Sequence, residues 1–226
     1  MNQSLFLESR NLFNNPPVPY EDFDNAHNYD ELFGAEKYAY NTYLHYIRPY
    51  LTDTKNKTIF DINCGKGYAL STLKSHYGFK KCIGYNSIQN MLEACKNRHS
   101  NVQFYRDFIM SKQKDADYIF SIEAFDNYNN QSALLLRLRQ ALASNGYLII
   151  VQSTTNEKIL LNNFSILEKT HGLKSLYHNE ISHDVFTAVE RISERSPILS
   201  MVYADYQTKF NYNTEYKIHV KVLQNV

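Results

Sequence analysis

The sequence is short of several things, and each shortage argues against a class of function. Its 24 lysines and arginines stand against 23 aspartates and glutamates. With no strong field of either sign, neither nucleic acid nor an anionic membrane is an expected partner. Long apolar runs are missing, since the stretch Leu148 to Val151 is far below the ~20 residues that span a bilayer. The first residues, Met-Asn-Gln-Ser-Leu-Phe-Leu-Glu, lack a basic segment followed by an apolar one, and we therefore expect a soluble, cytoplasmic protein. Only three cysteines occur, Cys64, Cys82 and Cys95, an odd number without C-x-x-C spacing. They read as reduced thiols rather than a disulfide framework, and no metal site is expected. Tryptophan is absent beside 19 tyrosines and 13 phenylalanines, a bias to which no function attaches.

What is present fits one α/β domain, for which 226 residues supply a substantial core. Residues 1–28 carry Pro16, Pro17 and Pro19 and read as an irregular arm. Tyr40, Tyr43, Leu44 and Ile47 then fall at helical spacing up to Pro49, which makes residues 1–50 an arm and helical cap, and 51–226 the main domain. From there strands and helices alternate. Strands are expected at Thr58–Asn63, Lys81–Asn86, Val102–Tyr105, Asp117–Ile122 and Tyr147–Gln152, and two more at Leu173–Tyr177 and Tyr216–Leu223. Helices are expected from Tyr68 to His76, along Ile88, Met91, Leu92 and Cys95, and along Leu134, Leu138, Ala141 and Leu142, the last stopped by Asn145-Gly146. Leu160, Phe164 and Leu167 mark another helix, closed by His171-Gly172, and a further one is expected near Val185–Ile192.

The stretch that organises the rest is Thr58 to Leu70, Thr-Ile-Phe-Asp-Ile-Asn-Cys-Gly-Lys-Gly-Tyr-Ala-Leu. Ile59, Phe60 and Ile62 suit a strand covered on both faces, and Gly65 and Gly67 permit a sharp turn and close backbone approach before a helix opens. A ligand's polar groups can meet free N–H groups at such a helix start.

Asp61-x-Asn63-x-Gly65-x-Gly67 resembles motif I of the class I S-adenosylmethionine (AdoMet) dependent methyltransferases, with asparagine for one glycine. Asparagine is a natural substitute if that position is left-handed. The resemblance implies a Rossmann-like, mostly parallel seven-stranded sheet with helices on both faces and an N-terminal helical lid. It implies AdoMet as cofactor and a small-molecule methyl acceptor as partner. By order and spacing it covers roughly residues 29–178. In the family's pattern Asp61, Asn63, Cys64, Gly65 and Gly67 form the cofactor loop. Asn86, with Ser87, stands where an acidic residue holds the ribose hydroxyls, and Met91 occupies the matching position of the next helix. Asp107 matches the residue that accepts from the adenine amino group, and Phe108 is placed to flank the ring.

Ser121-Ile-Glu123-Ala-Phe-Asp-Asn127 resembles the Ser-x-Glu/Asp-Ala-x-x-His pattern of small-molecule methyltransferases, with asparagine for histidine. Ser121 to Asn127 would face the transferring methyl. Tyr29-Asp-Glu-Leu-Phe-Gly34 resembles the lead-in of phosphoethanolamine methyltransferases, without the Ser-Gly-Gly that often follows. An amine acceptor has to arrive neutral or lose a proton, for which Glu123 is the first candidate, with Tyr20 or Tyr29 next, while Asn127 is counted a catalytic-site residue where the pattern has its histidine, without that base. Tyr20, Tyr29, Tyr38 and Tyr40 can build an aromatic cage for a cation. Two other readings remain at this stage. One is an inactive AdoMet-binding or interaction protein, given asparagines at 63, 86 and 127. The other is a NAD-dependent oxidoreductase, against which Leu70 stands at the third glycine position of G-x-G-x-x-G.

If residues 1–28 close over the site, deleting residues 1–22 is expected to leave fold and AdoMet affinity intact while abolishing transfer. Undiminished turnover by the truncated protein would remove the lid from the account.

Overall fold

The computed structural model describes residues 46–65, 67–122, 124–125, 128, 130–154, 157–183 and 216–226. The expected cap helix before Ile47, the helix near Val185–Ile192, and Tyr20, Tyr29, Tyr38, Tyr40, Glu123 and Asn127 lie outside these residues. The chain divides into two compact units. The one described here comprises Leu44–Gln152, Asn156–Asn179 and His219–Val226; of the other only short pieces are described.

Seven strands form one sheet: β1 Thr58–Asp61, β2 Lys81–Tyr85, β3 Gln103–Tyr105, β4 Ala116–Ile122, β5 Leu142–Thr154, β6 Lys174–His183 and β7 Tyr216–Gln224. Their order is β3-β2-β1-β4-β5-β7-β6. The pairs β1–β2, β1–β4, β2–β3 and β4–β5 are parallel. Between them run α1 Tyr68–Tyr77, α2 Gln89–Arg98, α3 Gln131–Ala141 and α4 Glu157–Lys169. The chain moves outward from β1 to β2 and β3, then crosses back to β4, so the order reverses between β1 and β4. In open α/β sheets such a switch point opens a crevice at the carboxyl ends of the strands.

The central strands read as apolar runs because both faces are covered. Ile59, Phe60, Ile83, Ile119, Phe120, Leu148, Ile149 and Ile150 are fully buried, and Leu134, Leu138 and Ala141 supply the buried stripe of α3. Aromatic rings fill much of the volume. Tyr118 stacks on Tyr147 with ring centres 5.3 Å apart and meets Phe79 edge-on. Its hydroxyl lies 3.0 Å from the carbonyls of Tyr50 and Thr52, and burial pushes its pKa up to about 12. At the amino edge Asp117 accepts from Thr58 N and pairs with Lys57 at 3.0 Å, which ties β4 to the start of β1.

Among the boundaries that differ from expectation, two have clear physical reasons. β1 ends at Asp61, two residues early, because Ile62 and Asn63 turn into the glycine loop. Leu142 begins β5 instead of closing α3, and Asn145-Gly146 sits inside that strand. The register jumps from Ala116↔Leu142 to Tyr118↔Tyr147, so the residues between bulge outward. Asn145 takes a left-handed backbone, and a Cβ on Gly146 would lie 2.8 Å from the Ala116 carbonyl. Asn225 seals the bulge by bonding backbone to backbone with Asn145 and Gly146, which sets the end of β7 against the start of β5. Helix ends follow local rules: Asn130 caps α3 through Ala133 N at 3.0 Å, and left-handed Gly78 closes α1.

Gly84 is where the sheet approaches the loop most closely, since a Cβ there would lie 2.8 Å from both Cys64 Sγ and the Phe104 ring. Gly84→Ala is expected to destabilise by about 1–3 kcal/mol through overpacking. Urea unfolding checks this as a lower midpoint at unchanged slope; an unshifted midpoint would mean that Cys64 and Phe104 yield freely.

Candidate functional site

At the carboxyl end of β1, Asp61 is buried and accepts from Asn63 N at 3.2 Å. Asn63 does not adopt the left-handed backbone, which corrects the reason given above for tolerating asparagine there. The side chain contributes instead: Asn63 Nδ2 donates to the Ile122 carbonyl at 3.2 Å, stitching the loop to the end of β4. Cys64 N bonds to the Tyr85 carbonyl on the other side. Gly65 and Gly67 both have positive φ, 51° and 79°, so the motif needs its glycines here. Gly67 also packs tightly, because a Cβ would meet Phe104 at 2.9 Å. Helix α1 opens at Tyr68 with no side-chain cap hydrogen bond, the kind of helix start where N–H groups can meet a ligand.

The Gly65 carbonyl is a meeting point. It accepts from Asn86 Nδ2 at 2.8 Å and from Cys95 Sγ at 3.1 Å, with Cys64 Sγ at 3.8 Å. Asn86 is buried at the end of β2, and its Oδ1 accepts from Ile88 N at 2.9 Å, while Met91 Sδ lies 3.6 Å from Nδ2. Both ends of this carboxamide are therefore engaged within the protein. Ser87 beside it is exposed.

After β3, Asp107 is exposed and accepts from Met110 N at 3.2 Å. Phe108, expected beside the adenine, is 1% exposed and packs edge-on against Tyr85 at 5.2 Å. The Arg137 guanidinium lies 5.0 Å from its ring centre, and Arg137 Nε donates to the Phe108 carbonyl. Arg137 also holds the Gln113 carbonyl, and its burial lowers its pKa. Phe108 thus anchors the loop in the core; the apolar neighbours left beside Asp107 are half-buried Ile109 and exposed Met110.

At the end of β4, Ser121 Oγ is wholly buried and makes no hydrogen bond among the described residues. Two residues that sequence reasoning passed over belong here. Tyr128 donates to the Ile62 carbonyl at 2.9 Å. Burial, and then the charges of Asp107 and Asp61, push its pKa far up, so it stays a neutral donor at physiological pH. Gln152, at the end of β5, accepts from Phe125 N at 3.1 Å. Gln131 donates to the carbonyls of Phe125 and Tyr128 at 2.6 and 2.8 Å, fixing the start of the loop after β4. The signal for Gln152 was a polar residue ending the apolar run Leu148–Val151; for Tyr128 it was a large ring following the Ser121–Asn127 segment.

The structure thus gathers Asp61, Asn63, Cys64, Gly65, Gly67, Asn86 and Met91 around one loop, and it brings Tyr128 within electrostatic reach of Asp61 and Asp107. The left-handed glycines, the open helix start and the unpartnered Ser121 hydroxyl fit a nucleoside-bearing cofactor such as AdoMet. The inward Phe108 and the engaged Asn86 are where this chain departs from the expected contacts.

A family model described as a methyltransferase domain matches residues 33–188, well over half the chain. Among curated proteins no significant match is found. Solved structures resemble it at low identity. A Galdieria sulphuraria protein, described as a candidate sarcosine dimethylglycine methyltransferase, superposes with TM-score 0.65 at 14% identity, covering 86% of this chain and 88% of that one. Geranyl diphosphate C-methyltransferase from Streptomyces coelicolor, in a complex that includes S-adenosylhomocysteine, gives 0.63 at 10%, covering 82% and 79%. A Haemonchus contortus phosphoethanolamine N-methyltransferase gives 0.62 at 14%, covering 81% of this chain and 52% of that one. With the glycine loop, the switch point and this match in agreement, the chain belongs to the methyltransferase-domain family.

Proposed function

We propose that this protein transfers the methyl group of AdoMet to a small-molecule acceptor, possessing the cofactor cradle at the carboxyl ends of β1 to β4. The observation that carries the reading is the loop Asp61–Gly67, with two left-handed glycines feeding an uncapped helix at the sheet's switch point, inside the span matched by the family. When bound, AdoMet would supply a sulfonium-activated methyl whose carbon is open to in-line attack by an acceptor lone pair, with S-adenosylhomocysteine as the leaving thioether.

The chain's own residues orient, exclude water and move a proton. Asp61 braces the turn through Asn63 N, and Asn63 and Tyr128 fasten it to β4 and to the loop beyond. Asp107 is assigned to the adenine side, and Ser121 to the methyl-bearing side through its unpartnered hydroxyl. Glu123, the residue after β4 ends at Ile122, is assigned as the group that accepts a proton from the acceptor, with Tyr20 and Tyr29 as further candidates, and Asn127 is assigned to face the transferring methyl. Such a step depends mainly on alignment and on dry surroundings, so few side chains need do chemistry. The structural neighbours named above act on amines and on an isoprenoid carbon. An amine is our first choice, from the Tyr29–Gly34 lead-in. No helix among the described residues is long and apolar enough to cross a membrane, and nothing in the charge balance favours nucleic acid.

Two measurements test this. Titration calorimetry is expected to detect S-adenosylhomocysteine; silence at millimolar ligand would sink the donor assignment. Radiolabel transfer from AdoMet to a panel of primary and secondary amines, phosphoethanolamine and prenyl diphosphates identifies the acceptor. Binding without transfer to any of them would favour the inactive, ligand-binding reading. With an acceptor in hand, Glu123→Gln is expected to lower kcat by about 10²–10⁴ while S-adenosylhomocysteine affinity stays unchanged.

A further inference from the structure

We infer that Asn86 is a positioning residue that acts through the Gly65 carbonyl, latching the glycine turn in its ligand-ready shape with Cys95 as second donor. This rests on the reading of that turn as the methyl donor's cradle.

The orientation of the carboxamide is determined by its surroundings. Oδ1 faces the N–H of Ile88 at 2.9 Å and Nδ2 faces the carbonyl of Gly65 at 2.8 Å. Flipping it would set oxygen against oxygen and N–H against N–H. The backbone of Asn86 is itself pinned, its N–H donating to the Tyr105 carbonyl at 3.1 Å. The side chain therefore hangs from the rigid β2–β3 pair and reaches across 21 residues of sequence to the turn. Cys95 Sγ, wholly buried on α2, reaches the same oxygen at 3.1 Å. A carbonyl bonded from Asn86 and from α2 cannot rotate without breaking both bonds, and it stands two residues before Gly67, the N-cap of α1.

This assignment reverses the sign expected of a direct ribose contact. If Asn86 served the ligand's hydroxyls, Asn86→Asp would supply an ionised acceptor and tighten binding. If Asn86 is the latch, the new carboxylate keeps Ile88 N but sets a second oxygen against the Gly65 carbonyl, in a site that is 5% exposed. Donor is lost, and two acceptors face each other in burial. Protonation repairs the contact, because a neutral carboxyl has the shape of the carboxamide and can donate its O–H to Gly65. Burial and that acceptor both favour the neutral form, raising the new group's pKa. The titratable groups that meet this carbonyl are the thiols of Cys64 and Cys95, the carboxylates of the adjoining loops are Asp61 and Asp107, and the His99 imidazole lies against Gly67. The wild type shares all five, so a wild-type titration subtracts them.

The test measures S-adenosylhomocysteine binding by the full chain, wild type and Asn86→Asp, from pH 8 to pH 5. The expected result is binding roughly five- to a hundredfold weaker in the variant at pH 8, recovering toward wild type as pH falls. Equal or tighter binding at pH 8, weakening as pH falls, overturns the latch. Cys95→Ala is expected to weaken binding and Cys95→Ser to restore it. Should Asn86→Asp fail to fold, this pair decides, and wild-type affinity in Cys95→Ala would overturn the proposal. A ligand-free readout separates the latch from the donor assignment: the amide resonances of Gly65 and Gly67 in Asn86→Asp are expected to titrate with the new carboxyl. If the wild type binds no S-adenosylhomocysteine while these resonances titrate, the donor reading fails and the latch stands. Resonances that ignore the titration overturn the latch itself.

Discussion

The turn between β1 and α1 is built on the left-handed glycines 65 and 67, so it carries few side chains to hold its own shape. Its contour therefore depends on what grips it from outside, above all on the bond from Asn86 Nδ2 to the Gly65 carbonyl. Around that bond the other attachments fall into place. Asn63 Nδ2 fastens the loop to the end of β4, Cys64 N fastens it to β2, and Tyr128 donates to Ile62 from the loop after β4. Gly84 and Gly67 leave room beneath it, where a Cβ would collide with Cys64, Phe104 or His99. Every one of these contacts is needed because glycine supplies conformational freedom and no anchorage.

The same division of labour appears in the loop after β3. Asp107 remains at the surface, while Phe108 and Arg137 secure the chain behind it. A buried guanidinium costs desolvation, offset here by two carbonyl acceptors and the face of an aromatic ring. An exposed carboxylate backed by a buried anchor is held in place from below, since a loop residue is only as well positioned as the groups that pack beneath it. Tyr128 extends the principle: burial and the neighbouring carboxylates keep it protonated, so its bond to Ile62 persists across the physiological range.

Much of this architecture was legible in the chain. Strands β1 to β5 and helices α1 to α4 appear where apolar runs and helical spacing put them, within a few residues, and the glycine loop lies between the first strand and helix as its residues require. The misreadings cluster where a residue's role depends on distant partners. The local pattern at Asn63 suits a left-handed stand-in for glycine, whereas the residue is a hydrogen-bond donor to β4. Phe108 was placed against a ligand and lies in the core. Asn145-Gly146 was read as a helix stop and forms a bulge sealed by Asn225, about eighty residues away in the chain. Tyr128 and Gln152 drew no attention, because nothing adjacent to them reveals which carbonyl or N–H they meet.

Alternation of strand and helix, the position of the turn and the family's motif are local properties. They follow from backbone freedom at glycine and from periodicities of two and 3.6 residues, and the sequence by itself determined them. Which polar atom each side chain satisfies is a different kind of question. Asn86 to Gly65 spans 21 residues, Asn63 to Ile122 spans 59 and Tyr128 to Ile62 spans 66. Most buried donors and acceptors find partners, but the partner is whatever the folded sheet brings within hydrogen-bonding distance. Only the tertiary structure decided that the asparagine at the end of β2 faces the glycine turn.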